Sequence, residues 1–197
     1  YKWTYLTTTN IDEEVLSKIG FRDKLFMNRP FNNRQLYSFY EKIITHYENN
    51  GFPFASLKMD SLGIFNNAIS ANLNLTKNKF CLVDSVKIVG TATISDRYIQ
   101  NYIRIKNGDY YNETIIKNIS NRIKELPFVE EEQPFKVTFT ENKNELLLNL
   151  KKKKASRFNG VLGIQPDNNT GEIRFTGDVK LNLVNSFKKG EEIDFNW

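Results

Sequence analysis

Catalysis and metal binding need side chains that titrate, attack or ligate, and two of the most useful kinds are each present once, as His46 and Cys81. A single cysteine forms no intrachain disulfide, and one histidine beside it leaves no ligand cluster for a structural zinc. His46 falls between Ile44 and Tyr47 in a helical pattern and reads as a helix-flank residue, while Cys81 reads as a packed or linker residue rather than a nucleophile. The acidic run Glu130, Glu131, Glu132 would alternate sides on a strand, so it does not make the facing carboxylate pair of acid–base catalysis. Neither a Gly-x-Ser-x-Gly elbow, nor a glycine-rich phosphate loop, nor a metal-spaced histidine pair occurs. No catalytic residue, metal ligand or cofactor is expected. What remains is charge: Lys151, Lys152, Lys153 and Lys154, with Arg157 close behind, form either a solvated strand end or a contact with acidic headgroups or a partner.

Function must then reside in surfaces and in the elements that hold them. The 197 residues carry 28 Lys and Arg against 23 Asp and Glu, net +5, with the two signs interleaved over most of the chain. That distribution argues against nucleic acid as a partner. Charged or amide residues interrupt every apolar stretch well before the roughly 18 residues of a spanning helix, which excludes a helical membrane protein. The length and the 40% hydrophobic content suit one large folded domain or two small ones. Tyr1 in place of Met is expected to be a processed or trimmed end. Asn74-Leu75-Thr76, Asn112-Glu113-Thr114 and Asn168-Asn169-Thr170 match the glycosylation acceptor pattern, as chance allows in so asparagine-rich a chain.

Self-similarity decides between one domain and two. Asn28 to Leu36 aligns with Asn107 to Ile115, and Tyr40, Ile44 and Tyr47 then fall opposite Ile119, Ile123 and Leu126, an offset of about 79 residues. That is too long for a solenoid unit and fits two copies of a small domain. Each copy holds a long amphipathic helix. In the first, Leu36, Phe39, Tyr40, Ile43, Ile44 and Tyr47 share a face until Asn49-Asn50-Gly51 stops it; in the second, Ile115, Ile116, Ile119, Ile123 and Leu126 do so until Pro127. A shorter helix precedes each, Ile11 to Ile19 and Ser95 to Ile103, the latter with Ser95 as N-cap and Tyr98, Ile99 and Tyr102 inward. A hairpin follows each: Ala55 to Asp60 with Ala68 to Thr76, and Phe135 to Thr140 with Glu145 to Leu150. Trp3 to Leu6 and Val83 to Val89 supply a first strand to each copy. The order strand, helix, helix, strand, strand predicts a three-stranded sheet with two helices on one face, and such a sheet has edges on which another extended chain can pair.

After Ala155 the helical period disappears. From Ile173 to Leu183 one parity carries Ile173, Phe175, Gly177, Val179, Leu181 and Leu183, and the other Arg174, Thr176, Asp178, Lys180 and Asn182. The alternation continues as Ile193, Phe195 and Trp197 against Glu192, Asp194 and Asn196. Arg157 to Ile164 is an earlier strand, joined through the turn-rich Pro166 to Gly171. A soluble sheet with one dry face and an outer-membrane barrel alternate identically. Three successive strands with this pattern and a chain that stops at Trp197 inside one of them lead us to expect a barrel whose other strands lie outside this chain.

The repeats resemble polypeptide-transport-associated (POTRA) domains, and the whole is similar to an N-terminal piece of an Omp85-superfamily outer-membrane protein. The residues that carry this are Tyr47 to Ala55, similar to the family's helix-end motif, and Val86-Lys87-Ile88-Val89-Gly90 with Ile94-Ser95, similar to its first-strand motif. Arg157 to Gly163, and Thr176-Gly177-Asp178 with Asn182 to Asn185, look like opening barrel strands. The resemblance implies an α+β chain: POTRA-like β-α-α-β-β domains at 1–79 and 80–154, then the first three antiparallel strands of a transmembrane β-barrel at 155–197. It implies a bacterial outer-membrane protein with residues 1–154 in the periplasm, no enzyme activity, and partners that are unfolded outer-membrane or secreted clients, accessory assembly subunits and outer-membrane lipid. Carried onto this chain, Phe135, Lys136, Val137, Thr138, Phe139 and Thr140 would be a client-binding edge strand. Arg157, Phe158, Asn159, Gly160, Val161, Leu162, Gly163 and Ile164 would be a gate strand. Ile173, Phe175, Val179, Leu181, Leu183, Ile193, Phe195 and Trp197 would face lipid, and Lys151 to Lys154 would meet headgroups. A dedicated secretion pore, a barrel module with a lipase domain upstream, and a soluble scaffold are the alternatives that stay open.

Overall fold

In the computed structural model, which describes residues 1–166 and 172–197, contacts divide the chain into two compact units, Tyr1–Asp84 with Gly108–Lys117, and Ser85–Asn107 with Asn118–Trp197. The expected Pro166 to Gly171 turn and the Asn168 acceptor triplet fall on or within residues outside the described ones.

The first unit opens with β1 (Lys2–Thr9), α1 (Glu13–Ile19), α2 (Asn33–Glu48), β2 (Ser56–Phe65) and β3 (Ala68–Thr76). The sheet order is β1-β3-β2, with β1 parallel and β2 antiparallel to β3. Helix α2 starts where the Asn32 side chain accepts the Gln35 N–H, and it buries Leu36, Phe39, Ile43 and Tyr47, one stripe at helical spacing. That stripe closes on Trp3, Leu6, Leu57, Leu73 and Leu75 in a single core. Each such side chain contributes about 1.5–3 kcal/mol by leaving water. Helix α2 ends as its spacing demands: Gly51 has φ +92°, and a Cβ there would collide with the Phe80 ring. Its N–H donates to the Tyr111 carbonyl, and its carbonyl accepts from the Cys81 N–H.

Some limits differ from expectation. α1 begins at Glu13, after Asp12, rather than at Ile11. β2 runs past Asp60 to Phe65 through an irregularity between Asp60 and Gly63, where Ser61 has φ +51°. Asn66 and Asn67, both at positive φ, then make the hairpin turn.

β4 (Leu82–Val83) pairs with β6 (Asp109–Tyr110), and both belong to the first unit, with α4 (Glu113–Lys117). The strand expected over Val83 to Val89 is therefore divided at Asp84. Its second part is β5 (Ser85–Val89), the opening strand of the second sheet. There follow α3 (Asp96–Ile103), α5 (Ile119–Glu125), β7 (Val129–Phe139) and β8 (Asn144–Lys152), in the order β5-β8-β7. β5 is parallel and β7 antiparallel to β8, the same topology as the first sheet. Leu146, Leu148 and Leu150 from β8, Ile99 and Ile103 from α3, and Ile119 and Ile123 from α5 are fully or nearly fully buried. Two expectations are corrected. The single helix over Ile115 to Leu126 is broken at Asn118 (φ −93°, ψ 0°), giving α4 and α5. On α3 the buried pair is Ile99 and Ile103, while Tyr98 and Tyr102 stack on each other at 5.9 Å and stay half-buried, the Tyr102 hydroxyl donating to Glu125 at 3.1 Å. Ser95 caps α3 as its sequence predicts, accepting the Tyr98 N–H.

β9 (Arg157–Pro166), β10 (Ile173–Val184) and β11 (Glu192–Asn196) form a third, antiparallel sheet in the order β11-β10-β9. Among the described residues this sheet is open rather than closed. The architecture is mixed α+β, with the same three-stranded topology in the first and second sheets. No described helix is long and apolar enough to cross a membrane.

Candidate functional site

Two surfaces stand out, a free sheet edge in the second domain and an apolar sheet face after it. β7 is the edge, since β8 pairs with it on one side only and β5 holds the other side of β8. Its register with β8 slips twice, between Glu131 and Gln133 and between Gln133 and Lys136. Pro134, which has no N–H to give a ladder, sits in the second slip. Beyond it, Lys136, Val137, Thr138 and Phe139 pair regularly with Leu147, Leu146, Glu145 and Asn144. Phe135, Val137 and Phe139 are half-buried, and Lys136 and Thr138 are exposed.

The expected edge strand is thus placed at an edge, but its limits change. It begins at Val129, and Thr140 lies outside it. Thr140 closes the tight turn instead: its N–H and hydroxyl both donate to the Lys143 carbonyl, and its Oγ1 accepts the Lys143 N–H at 3.0 Å. The acidic run does alternate. Glu130 pairs with Lys151 at 3.1 Å, while Glu131 accepts from the Ser120 hydroxyl at 2.9 Å. Next to the turn, Glu145 meets Lys143, Lys87 at 2.8 Å and the Ser85 hydroxyl at 3.1 Å. These partners, Lys143 first, hold its carboxyl down at about 2.

On the third sheet, residues directly opposite each other share a face. Phe175 lies opposite Ile164, Gly177 opposite Leu162, Leu181 between Phe158 and Phe195, and Leu183 opposite Ile193. Val179 lies opposite Gly160 and exchanges both backbone hydrogen bonds with Trp197, at 2.7 and 2.9 Å. Every residue expected to face lipid therefore falls on one side of the sheet, joined there by Phe158, Leu162 and Ile164 of the expected gate strand. Phe175 is 74% exposed, Leu162 75% and Trp197 65%, while Val179, Leu181 and Leu183 are half-buried, so most of this face is uncovered within the chain. The other side carries Asn159, Thr176, Asp178, Lys180, Asn182 and Asp194, with Asn182 donating to Glu192 at 2.8 Å and to Asp194 at 2.7 Å. Arg157, Val161 and Gly163 belong to that polar side, where Val161 is an apolar exception.

In the lysine run, Lys151 is engaged by Glu130 at 3.1 Å, while Lys152, Lys153 and Lys154 are exposed, the last two beyond the end of β8. His46 is half-buried on α2 and Cys81 buried, and burial moves the imidazole down and the thiol up from their ordinary values. No group of three or more potential metal-ligating His, Cys, Asp or Glu side chains occurs among the described residues. Sequence reasoning passed over the first domain's own edge, β2, whose outer half exposes Leu62, Ile64 and Phe65. The signal was the uncharged run from Ser61 to Ala71.

No curated protein matches the sequence. The POTRA family model, described as surface antigen variable number repeat, matches residues 82–153. That match covers the second sheet and the helices packed on it. The BamA of Haemophilus ducreyi, solved without POTRA domains 1–3, matches 97% of this chain with a TM-score of 0.64 at 14% identity. A POTRA3–5 structure of Haemophilus influenzae BamA matches 77% of the chain with a TM-score of 0.50 at 13% identity, and is itself covered to 65%. The fold is shared with these solved structures, and the chain spans 35% of the length of the Haemophilus ducreyi chain.

Proposed function

We propose that this chain is part of an outer-membrane assembly or secretion protein that handles unfolded clients by strand pairing, without catalysis. In this reading residues 1–79 and 80–154 are periplasmic POTRA-like domains, and 155–197 opens a transmembrane β-barrel. Clients, accessory assembly subunits and outer-membrane lipid are the partners. The regularly paired outer part of β7, Lys136 to Phe139, adds an extended client segment at the sheet edge, because backbone pairing at an edge tolerates many sequences. β9 acts as the gate strand. The residues from Ile173 to Trp197 on the apolar face meet lipid, and Lys151 to Lys154 lie near headgroups.

The observation that carries this reading is the register of the third sheet. Three strands place their apolar residues on one face and their polar residues on the other, and most of the apolar face stays exposed. A soluble protein rarely leaves so large an apolar face in water, whereas lipid covers it without cost.

The test uses the intact parent protein. A photo-crosslinking residue at Thr138, which is exposed on β7, should capture nascent outer-membrane chains, and the same residue at Lys124 on α5 should not. A protease site placed at residue 168 should be cleaved on whole cells, with the parent in the outer-membrane fraction. Equal capture at both positions would remove the edge from the mechanism, and an alkali-extractable protein would overturn the barrel reading.

A further inference from the structure

Between β10 and β11 the chain makes a turn, Asn185 to Glu191, that is fastened to the second domain rather than left in solvent. The Ser95 N–H donates to the Lys188 carbonyl at 2.9 Å, and the Asn185 side-chain amide donates to the Thr93 carbonyl at 2.9 Å. Gly190, at φ +71°, lies so close to the Tyr98 ring that a Cβ would occupy the same space. The same ring also stacks on Tyr102 at 5.9 Å and packs against Phe128 at 6.2 Å. The turn is stiff in itself. The Gly190 N–H donates to Asn185 Oδ1 at 3.0 Å, and the Glu191 carboxylate accepts from the N–H groups of Phe187 and Lys189.

The covalent linker is fixed as well. At one end the Lys153 N–H holds the Phe128 carbonyl, and at the other Ser156 Oγ accepts the Val184 N–H at 3.0 Å. The loop that receives the turn is bonded to the domain's central strand, through Ala92 N–H to the Leu150 carbonyl at 3.1 Å and Lys152 N–H to Thr91 Oγ1 at 3.4 Å. A body attached at one point can pivot freely, while attachment at two separate points removes most of that freedom.

We propose that the Asn185–Glu191 turn is a strut that, together with the 153–156 linker, holds the second domain in one orientation to the β9–β11 sheet, so that a strand added to β7 is presented to β9 in a fixed geometry. Ser95, Tyr98, Asn185 and Gly190 are its positioning residues. The proposal rests on the strand-addition reading for its use, but the attachment itself is testable apart from it.

The experiment takes the intact parent in detergent micelles, with spin labels at Lys124 on α5 and Asp178 on β10. The wild type should give one narrow distance and a protected Ser95 amide. Gly190→Val should at least double the width of the distance distribution and speed Ser95 exchange tenfold or more, with the Leu146 and Leu148 amides still protected to show that the domain remains folded. Where Gly190→Val does not fold, Asn185→Gly keeps the positive φ, deletes the bond to Thr93, and should produce the same changes. A broad wild-type distribution, or unchanged width and exchange in a folded variant, would overturn the strut. Fractionation of the parent tests the barrel reading independently, so a failure of one is not mistaken for a failure of the other.

Discussion

Replacing Val179 by lysine asks whether the apolar face meets lipid or water, because the two answers have opposite signs. Val179 is the middle of the sheet in both directions, with Gly160 of β9 on one side and Trp197 at the end of β11 on the other. Along the strand, β10 has 12 residues and Val179 is the seventh. At about 3.4 Å per residue and a tilt near 45°, β10 rises about 29 Å, and Val179 lies roughly 14 Å from its start, close to the centre of an apolar band about 25 Å tall. A lysine on a lipid-facing barrel position at that depth costs about 2–4 kcal/mol, or roughly 30- to 1,000-fold in the folding equilibrium. The neighbouring Asp178 faces the other side, where its carboxylate meets Lys180 at 3.4 Å, and an exposed pair of that kind is worth little. Asp178→Asn should therefore change stability by less than about 1 kcal/mol. The assay is denaturant titration of the intact parent folded into phosphatidylcholine vesicles, read by protease resistance and by the mobility shift of folded barrels. Val179→Lys should lower the midpoint strongly and Asp178→Asn hardly at all. A Val179→Lys protein as stable as the wild type, or more soluble and no less stable, would refute the reasoning and return the sheet to water.

Glu145→Gln should flatten the acid limb of the second domain's stability. The wild-type carboxyl is held below its ordinary 4.5, at about 2, so its contribution is present above pH 4.5 and is lost as pH falls through about 2, and the variant should not titrate over that interval in circular dichroism. Gly51→Ala should destabilise the first domain by more than about 1 kcal/mol, since alanine is strained at positive φ and its Cβ also meets the Phe80 ring. Urea unfolding followed by Trp3 fluorescence measures that loss, and an unchanged midpoint would mean that the helix end relaxes freely.

The sequence made the architecture legible wherever apolar periodicity was strong. The Leu36 to Tyr47 stripe, the repeat near 79 residues and the alternation from Ile173 to Trp197 all placed their elements on the correct faces. Boundaries were lost where a local conformation overrode the pattern. At Asn118 ψ opens to 0° and interrupts the helix although the apolar spacing continues across it, so a periodicity cannot locate the break between α4 and α5. Asp84 divides one apparent strand because Leu82 and Val83 find their partners in Tyr110 and Asp109, a pairing between segments far apart in the chain. Ser61 and the slips around Pro134 lengthen β2 and β7 by bulges, which shift the parity that an alternation count depends on. In the candidate site, the edge position of β7 followed from topology, but the exclusion of Thr140 came from its bonds to Lys143. The docked turn left no trace in composition, since it consists of backbone bonds and a glycine packed on a ring.

The slips in β7 bear on residence time. The longest unbroken register at that edge is Lys136 to Phe139, the slips separating it from the shorter run Val129 to Glu131, and in an antiparallel ladder every second residue points both its N–H and its carbonyl outward. A strand added there finds about four hydrogen bonds, each worth about 0.5–1.5 kcal/mol net. Association itself costs an estimated 4–15 kcal/mol, so backbone pairing at this edge does not by itself make a lasting complex. In the proposed role a guest segment would dwell briefly and depart by thermal motion, with no energy source needed to evict it. An edge without Pro134 would grip longer and release more slowly, the wrong kinetics for the client-passing role proposed above.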